Sequence, residues 1–303
     1  MSYKRGILLV FITAVISGFS IFINKFAVSG IDPFVFTFSK NIFVALPLFS
    51  LIIAFKEIKA LKMLKRNQWF NLAVVGLIGG SIPFLLFFKG LSIISSANAS
   101  FIHKTMFVFV AVLAMLFIKE KLNKGFFLAA VLLLVGNFLL LKFVWAGIGL
   151  GDILILFATI FWAGENVLSK HLLADITPRV LAFARMFFGS LFILVFLLFT
   201  GGISSMATMR LNHWLWVLVT SILLFGYVIT WYTGLKEIEV SLATSILLLG
   251  SVITTLLNIV FFNSIVSMAQ AIGMATLAFG AFLVVFFAFK TNYAISTATP
   301  RCT

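Results

Sequence analysis

Residues 6–40 read GILLVFITAVISGFSIFINKFAVSGIDPFVFTFSK, and residues 151–185 read GDILILFATIFWAGENVLSKHLLADITPRVLAFAR. Laid on one another without a gap, at a constant offset of 145, they match Gly6 with Gly151, Lys25 with Lys170, Pro33 with Pro178 and Lys40 with Arg185. After a one-residue slip, an offset of 144 carries the register onward. Gly90-Leu91 then meets Gly234-Leu235, Ala99 meets Ala243, Phe117 meets Phe261 and Gly136 meets Gly280. Any one of these pairs arises easily by chance in apolar sequence. A near-constant offset held across charged, proline and glycine positions marks an internal repeat.

Both copies are built from membrane-length runs. The chain has 303 residues, 63% hydrophobic and 10% charged, against roughly 45–50% apolar and about 25% charged in soluble domains. A soluble core of this length cannot hide so much apolar surface, whereas a hydrocarbon layer about 30 Å thick accepts it in spans of about 20 residues. Ten such runs are predicted, at 6–28, 33–55, 69–88, 95–118, 125–143, 152–170, 178–199, 213–235, 241–262 and 269–289. They must be helices, because backbone in lipid satisfies its own hydrogen bonds and no run alternates as a membrane barrel strand does. The first run follows Lys4 and Arg5 as a signal peptide would, yet continues to about Val28 without a small-residue cleavage site, so it is read as retained. Five spans per copy is an odd number, so the second copy enters the membrane from the opposite side. The expected fold is an all-α integral membrane protein with ten transmembrane helices in two inverted five-helix repeats. The repeats are expected at 1–144 and 151–290, with a Gly-rich linker at 145–150 and a cytoplasmic tail at 291–303.

The 22 Lys and Arg against 8 Asp and Glu give a net charge of +14. In a soluble chain this would point to nucleic acid, but no basic face or reader motif is present, and nucleic acid is excluded as a partner. With the N-terminus inside, 15 of the basic residues fall in cytoplasmic loops, 4 in external loops (Lys25, Lys89, Lys142 and Arg210) and 3 inside spans. That bias predicts both termini in the cytoplasm of a multi-pass protein of the cell (plasma or inner) membrane, with lipids around it. Cys302 is the sole cysteine, which excludes a disulfide framework and a thiolate metal cluster. The short cytosolic segments hold no phosphate-binding loop, so ATP is not the energy source, and no cofactor or metal is expected. A membrane enzyme would cluster its reactive groups, whereas here three His are scattered and Glu165 stands alone.

Ionisable groups at a span's centre cost about 2.5–3.5 kcal/mol each on insertion scales, so each asks for a reason. Lys104 lies roughly 14 Å into span four, near the midplane, with His103 beside it. It snorkels or pairs with a carboxylate, or it faces a substrate path. Span nine carries Thr244, Ser251, Thr255 and Asn258 on one helical face. The repeat lays Ser100 on Thr244, Phe107 on Ser251 and Ala111 on Thr255, with His103 and Lys104 on or beside the matching face. These two stripes either line a shared cavity or let helices pack closely through small side chains. Lys40 and Arg185, repeat mates about 10 Å inside opposite faces, are matched gates or substrate-attracting charges, or else snorkelling or structurally paired side chains. Glu165 is the partner of Arg185 in an ion pair, or the carrier of a coupling proton. Trp162, Tyr227 and Trp231 sit within spans rather than at the interfacial belts, where their flat faces suit either an organic substrate or core packing. Pro47 and Pro83 mark expected kinks, and Gly76 and Gly80 a close helix contact.

Ten spans in two inverted halves resemble the drug/metabolite transporter superfamily, and the local text is similar to its EamA branch. The likeness lies in Lys89-Gly-Leu-Ser-Ile-Ile-Ser-Ser-Ala-Asn-Ala-Ser100, in the close of span four on Phe117-Ile-Lys-Glu-Lys-Leu122, and in the opening of the second half. That opening runs from Gly151-Asp152 through Phe161-Trp162-Ala163 to Ser169-Lys170. Family members commonly carry Pro midway along spans four and nine, where this chain has Met106 and Gly250. The family's acidic residue after span four is Glu120, and its second-half counterpart is Ser264. The resemblance implies metabolite export, often of amino acids or their relatives. The expected function is therefore a secondary transporter that exports or exchanges a small metabolite by alternating access, rocking one repeat against the other around spans four and nine. Net positive charge within the spans leans toward a substrate bearing a carboxylate or phosphate. Proton antiport through Glu165 or His103, exchange, and uncoupled facilitation stay open, and a lipid scramblase or membrane-embedded binding protein is the alternative of another class.

Overall fold

A computed structural model describes residues 2–140, 148–262 and 265–298, with side chains described as far as Lys290. Among the described residues, ten long helices run in chain order: α1 (Ser2–Ala27), α2 (Pro33–Ala54), α3 (Arg66–Ile93), α4 (Ser96–Phe117), α5 (Lys124–Leu140), α6 (Leu150–Leu172), α7 (Pro178–Phe199), α8 (Leu211–Glu237), α9 (Val240–Phe262) and α10 (Met268–Ala298). Nine of these are long and apolar enough to cross a membrane. The other, α5, is described over 17 residues, and its expected continuation to 143 lies outside the described residues. So do residues 145–147 of the expected linker, the end of the tail, and Ser264.

Matching local chemistry starts the same elements in both halves. Gly30 turns the chain after α1 with φ +84, a left-handed conformation that costs glycine nothing. The Asp32 carboxylate then accepts from Phe34 N and Val35 N at 2.9 and 3.0 Å, and Pro33 opens α2, where its missing N–H goes unneeded. One repeat later Thr177 caps Val180 N and Pro178 opens α7.

The halves interlock through reciprocal contacts. Helix α1 packs on α8, and its mate α6 packs on α3; α2 packs on α7, α4 on α9, and α5 on α10. A methyl group on Gly6 would stand 3.3 Å from the Gly234 carbonyl, and one on Gly234 3.0 Å from the Gly6 carbonyl. The mates repeat this: a methyl on Gly90 would lie 2.8 Å from the Gly151 carbonyl, and one on Gly151 3.3 Å from the Gly90 carbonyl. Small residues are what permit backbones to approach so closely. The four glycines matched by the repeat thus form two equivalent crossings, α1 on α8 and α3 on α6.

Three helices are interrupted inside the bundle. Helix α3 contains a π-helical turn at Gly76–Ser81, while α4 breaks at Thr105 and α9 at Leu248. The breaks in α4 and α9 fall beside Met106 and Gly250, where the family commonly has proline. Irregular backbone at membrane depth is tolerated where protein buries it or where it lines a cavity. Outward faces carry large apolar side chains such as Leu46, Leu116, Phe117, Phe138 and Phe282. The interior instead holds Thr13, Ser17, Asn24, Lys40, Asn41, Lys104, Glu165, Asn166 and Arg185, all buried.

Candidate functional site

A cavity of about 70 Å³ lies between the halves. Its wall is aromatic, with Phe84, Phe87 and Phe88 from α3, Trp162 from α6 and Tyr227 from α8, and His103 of α4 adjoining them. Trp162 meets Phe84, Phe87 and His103 at ring-centroid distances of 5.3, 5.3 and 5.1 Å. Polar edges come from Ser17, Ser20 and Asn24 on α1 and from Asn166 on α6, and two cations enter from opposite halves, Lys40 on α2 and Arg185 on α7.

The π turn of α3 fixes this arrangement. Pro83 has no N–H to return to the Gly79 carbonyl four residues earlier, and that carbonyl instead accepts from Trp162 Nε1 at 2.9 Å and Arg185 Nη2 at 3.1 Å. The next carbonyl, of Gly80, accepts from Asn41 Nδ2 at 2.7 Å. π turns recur at functional sites for this reason, since they release backbone groups that side chains then use. The glycines are required by space: a methyl on Gly80 would stand 2.1 Å from the Arg185 carbonyl, and one on Gly76 would stand 2.3 Å from Phe188 Cβ.

The two cations have unequal surroundings. Arg185 Nη2 lies 3.9 Å from Glu165 Oε2, and Glu165 Oε1 accepts from Ser169 Oγ and, at 2.6 Å, from the Tyr232 hydroxyl. Glu165 and Tyr232 have no exposure and stand outside the cavity lining, reaching it only through Arg185. Lys40 Nζ donates to Asn24 Oδ1 at 3.0 Å and sits 4.2 Å from the Phe88 ring centre. Among the described residues it has no carboxylate within ion-pair distance.

Of the residues singled out from sequence, Lys40, His103, Trp162, Arg185 and Tyr227 line the cavity. Glu165 lies directly behind Arg185. The rest stand elsewhere. Lys104 Nζ donates to Ser17 Oγ at 2.6 Å and reaches the space over Gly250, where a methyl would stand 3.1 Å from it; the ammonium is therefore behind Ser17 rather than in the cavity. Trp231 is buried with Nε1 on Asn166 Oδ1 at 2.9 Å, so it orients a lining amide. Thr244 and Ser251 return their hydroxyls to Val240 and Leu248 carbonyls of their own helix. Thr255 and Ser100 are buried where α4 and α9 pack, and Asn258 accepts from Ser96 Oγ at 3.0 Å. The polar stripes of α4 and α9 thus face each other as packing, and the cavity takes only His103 and Met106 from them. The lining from α1 and α3, namely Ser17, Ser20, Asn24, Phe84, Phe87 and Phe88, escaped the sequence reading. The signal that could have found three of them is the repeat, which lays Ser20 on Glu165, Asn24 on Ser169 and Phe88 on Tyr232.

Two further contacts obey the repeat. Lys25 Nζ donates to the Leu91 and Ser92 carbonyls at 2.9 and 3.3 Å, closing the C-terminal end of α3 onto α1. Its mate Lys170 Nζ donates to the Leu235 and Lys236 carbonyls at 2.9 and 3.3 Å, closing α8 onto α6, and reaches Ile238 O at 2.8 Å as well. A cation on terminal carbonyls of a helix complements both their lone pairs and the helix dipole. Beside Lys170, the Glu120 carboxylate accepts from Val240 N and Ser241 N, each at 3.2 Å, and so caps α9 from the loop of the other half. Burial pushes the Glu120 carboxyl above its ordinary range, and the hydrogen bonds from Ser241 and Val240 partly offset this.

The EamA-like transporter family model matches the chain twice, over residues 4–142 and 149–286. The chain belongs to the EamA-like transporter family. It is thereby a multi-pass membrane protein of a transporter family. It is 26% identical over 208 residues to the riboflavin transporter ImpX of Fusobacterium nucleatum subsp. nucleatum, covering 65% of this chain and 70% of that one. It is also 27% identical over 220 residues to the uncharacterized transporter YyaM of Bacillus subtilis, covering 69% of this chain and 70% of the relative. A protein of known crystal structure, 18% identical, superposes with a TM-score of 0.74 over 95% of this chain and 99% of its own length. At that identity the likeness speaks for the fold alone.

Proposed function

We propose that this EamA-like chain is a secondary transporter of the cell membrane. It exports or exchanges a small metabolite, an amino acid or a related carboxylate, through the cavity between its two halves. The observation that carries this reading is the convergence of repeat mates: Lys40 and Arg185 enter one aromatic-walled cavity from opposite halves and lean on the same ring, Phe84, from 6.0 and 5.6 Å. In this reading five helices per half turn the second half upside down relative to the first, the Lys and Arg bias of the loops supports both termini in the cytoplasm, and substrate sites of inverted-repeat transporters lie between the copies near the midplane.

Alternating access accounts for the cavity's size. A volume of about 70 Å³ falls well below the ~300–1,000 Å³ of ordinary ligand pockets, so loading requires the bundle to open. Lys25 and Lys170 close equivalent helix pairs at opposite ends, and both latches are made. In this reading outward opening releases the Lys25 latch and inward opening releases the Lys170 latch. Because, among the described residues, Glu165 is the only carboxylate beside the cavity and it is engaged with Arg185, Ser169 and Tyr232, exchange or uncoupled movement fits better than proton antiport through that residue.

The test is counterflow in proteoliposomes containing the full chain, with radiolabelled amino acids, organic acids, nucleotide-linked compounds and riboflavin, with and without a pH gradient. One class should accumulate, and the Lys40→Met and Arg185→Met variants should abolish that accumulation while inserting normally. Transport by both variants at the wild-type rate would reject the cavity as the substrate site.

A further inference from the structure

The repeat places two equivalent clusters around the cavity. In the second half it brings together Glu165, Ser169, Arg185 and Tyr232; one offset earlier stand Ser20, Asn24, Lys40 and Phe88. The contacts correspond member by member. Ser169 Oγ donates to Glu165, and Asn24 Nδ2 donates to Ser20 Oγ at 2.9 Å. Arg185 Cζ lies 5.8 Å from the Tyr232 ring centre, and Lys40 Nζ lies 4.2 Å from that of Phe88. One member differs in charge: Arg185 has the Glu165 carboxylate 3.9 Å away, while the repeat position of Glu165 is Ser20, which joins Lys40 only through Asn24.

Resting on the reading that this cavity is the transport site, we infer that Ser20, Asn24 and Lys40 form the subsite for the carboxylate of a ring-bearing organic monoanion, which occupies the place that Glu165 fills in the other half. Among the described residues the buried ammonium of Lys40 is held by an amide oxygen and three phenylalanine rings, which is costly unless an anion joins it. Lys40 is 1% exposed, and Ser20, half-buried, opens its place to the cavity. The Ser20 hydroxyl and the Lys40 ammonium both donate to a carboxylate arriving there. Beyond them the wall continues as Phe84, Phe87 and Trp162, edges and faces that accept a flat ring in offset or edge-on contact. An α-ammonium has no counterpart. Glu165 is covered, and the two cations repel a third, so a simple acid is favoured over the matching zwitterion.

Three probes on one skeleton test this: 3-phenylpropionate carries the carboxylate alone, phenylalanine both charges, and phenethylamine the ammonium alone. A fourth, 3-cyclohexylpropionate, removes only ring flatness. Binding is read by thermal shift of the purified full chain, and by protection of a Leu224→Cys reporter, which lines the cavity outside the subsite, in a Cys302→Ser background against an anionic methanethiosulfonate. The expected order is 3-phenylpropionate tightest, the cyclohexyl acid severalfold weaker, phenylalanine at least tenfold weaker and phenethylamine without effect. Lys40→Met, and independently Ser20→Glu, should weaken 3-phenylpropionate at least tenfold. Ser20→Glu supplies Lys40 with an internal partner and leaves the ammonium in place, so it covers the case in which Lys40→Met does not fold. If phenylalanine or phenethylamine protects the reporter as well as 3-phenylpropionate does, the anion subsite is overturned and the cavity reading stands. If 3-phenylpropionate shifts the melting temperature without protecting the reporter, both are overturned.

Discussion

Replacing Lys25 or Lys170 by Met should shift the transport equilibrium in opposite directions. Each substitution keeps most of the aliphatic stem and deletes the ammonium that holds two helix ends together. Hydrogen bonds to charged groups contribute about 1.5–3 kcal/mol. Both lysines are half-buried, and solvent screening brings the loss to about 1–2 kcal/mol per latch. That corresponds to a change of about 5- to 30-fold in the open population. Lys170 holds a third carbonyl, Ile238 O, that Lys25 has no equivalent for, so its removal should give the larger shift. The assay uses the Leu224→Cys reporter in the Cys302→Ser background, labelled with an impermeant thiol reagent from outside in intact cells and from the cytoplasmic side in inverted vesicles. Lys25→Met should speed labelling from outside and slow it from inside, and Lys170→Met should do the reverse. The reasoning would be refuted if both substitutions moved the two rates in the same direction, or if neither moved them in protein that reaches the membrane.

Gly80→Ala sets a methyl 2.1 Å from the Arg185 carbonyl and should cost about 1–3 kcal/mol through forced displacement of α7. Gly164→Ala on α6, where nothing lies within 4 Å, should be neutral or raise the melting temperature, since alanine favours a helix by roughly 1 kcal/mol over glycine; detergent thermal unfolding reads both. Glu165→Gln breaks a buried pair and should cost about 3–5 kcal/mol, most of it recovered in the Glu165→Gln, Arg185→Met double variant, because the penalty lies in the charge left alone. For Glu120 the sign follows from its raised folded pKa. The folded state holds the proton more tightly than the unfolded one, so its stabilisation is complete below the ordinary carboxylate pKa and is lost as pH rises through the folded value. Melting temperatures measured from about pH 4 to pH 8 should therefore fall for wild type relative to Glu120→Gln. Tyr3, Lys170, Glu237 and Glu239 surround that carboxyl and are the same in both proteins; parallel profiles would refute the assignment.

The helical fold was legible because lipid leaves the backbone so few options: apolar length alone marks the spans, and an offset that survives at Gly6, Lys25, Pro33 and Lys40 marks the repeat. The offset even carried atomic detail, since Lys25 and Lys170 are both loop-end lysines in a charge count yet bond equivalent carbonyls. The cavity wall was less legible. With 38 Phe in the chain, composition cannot distinguish Phe88, 2% exposed inside the bundle, from Phe117, 73% exposed outside it. Helical periodicity also misled at α4 and α9. Their small and hydroxylated residues read as one polar face, but a serine or threonine hydroxyl in a span can satisfy itself on its own helix, as Thr244 and Ser251 do. Such a face needs no cavity, and the two helices use it to approach each other. Spacing from Ser100 puts Lys104 on or beside that face, yet its ammonium donates to Ser17, which comes from a different helix.

A repeat of this kind supplies a symmetric frame, and symmetry alone would make the two openings equal in energy. What distinguishes them is where the copies have diverged. On the Lys170 side a third carbonyl joins the latch, and Glu120 crosses from one half to cap α9 of the other. On the Lys25 side the latch has two carbonyls, and α4 is capped by its own Ser95. Among the described residues, more contacts therefore break to open the first side than the second. The same divergence within the cavity gives Arg185 a resident carboxylate and leaves Lys40 without one, so charge brought by a ligand is felt most where the chain supplied least. In such a frame the geometry of the cycle belongs to what the halves share, while its resting direction and its choice of cargo belong to the few positions, Ser20 against Glu165 foremost, where they differ.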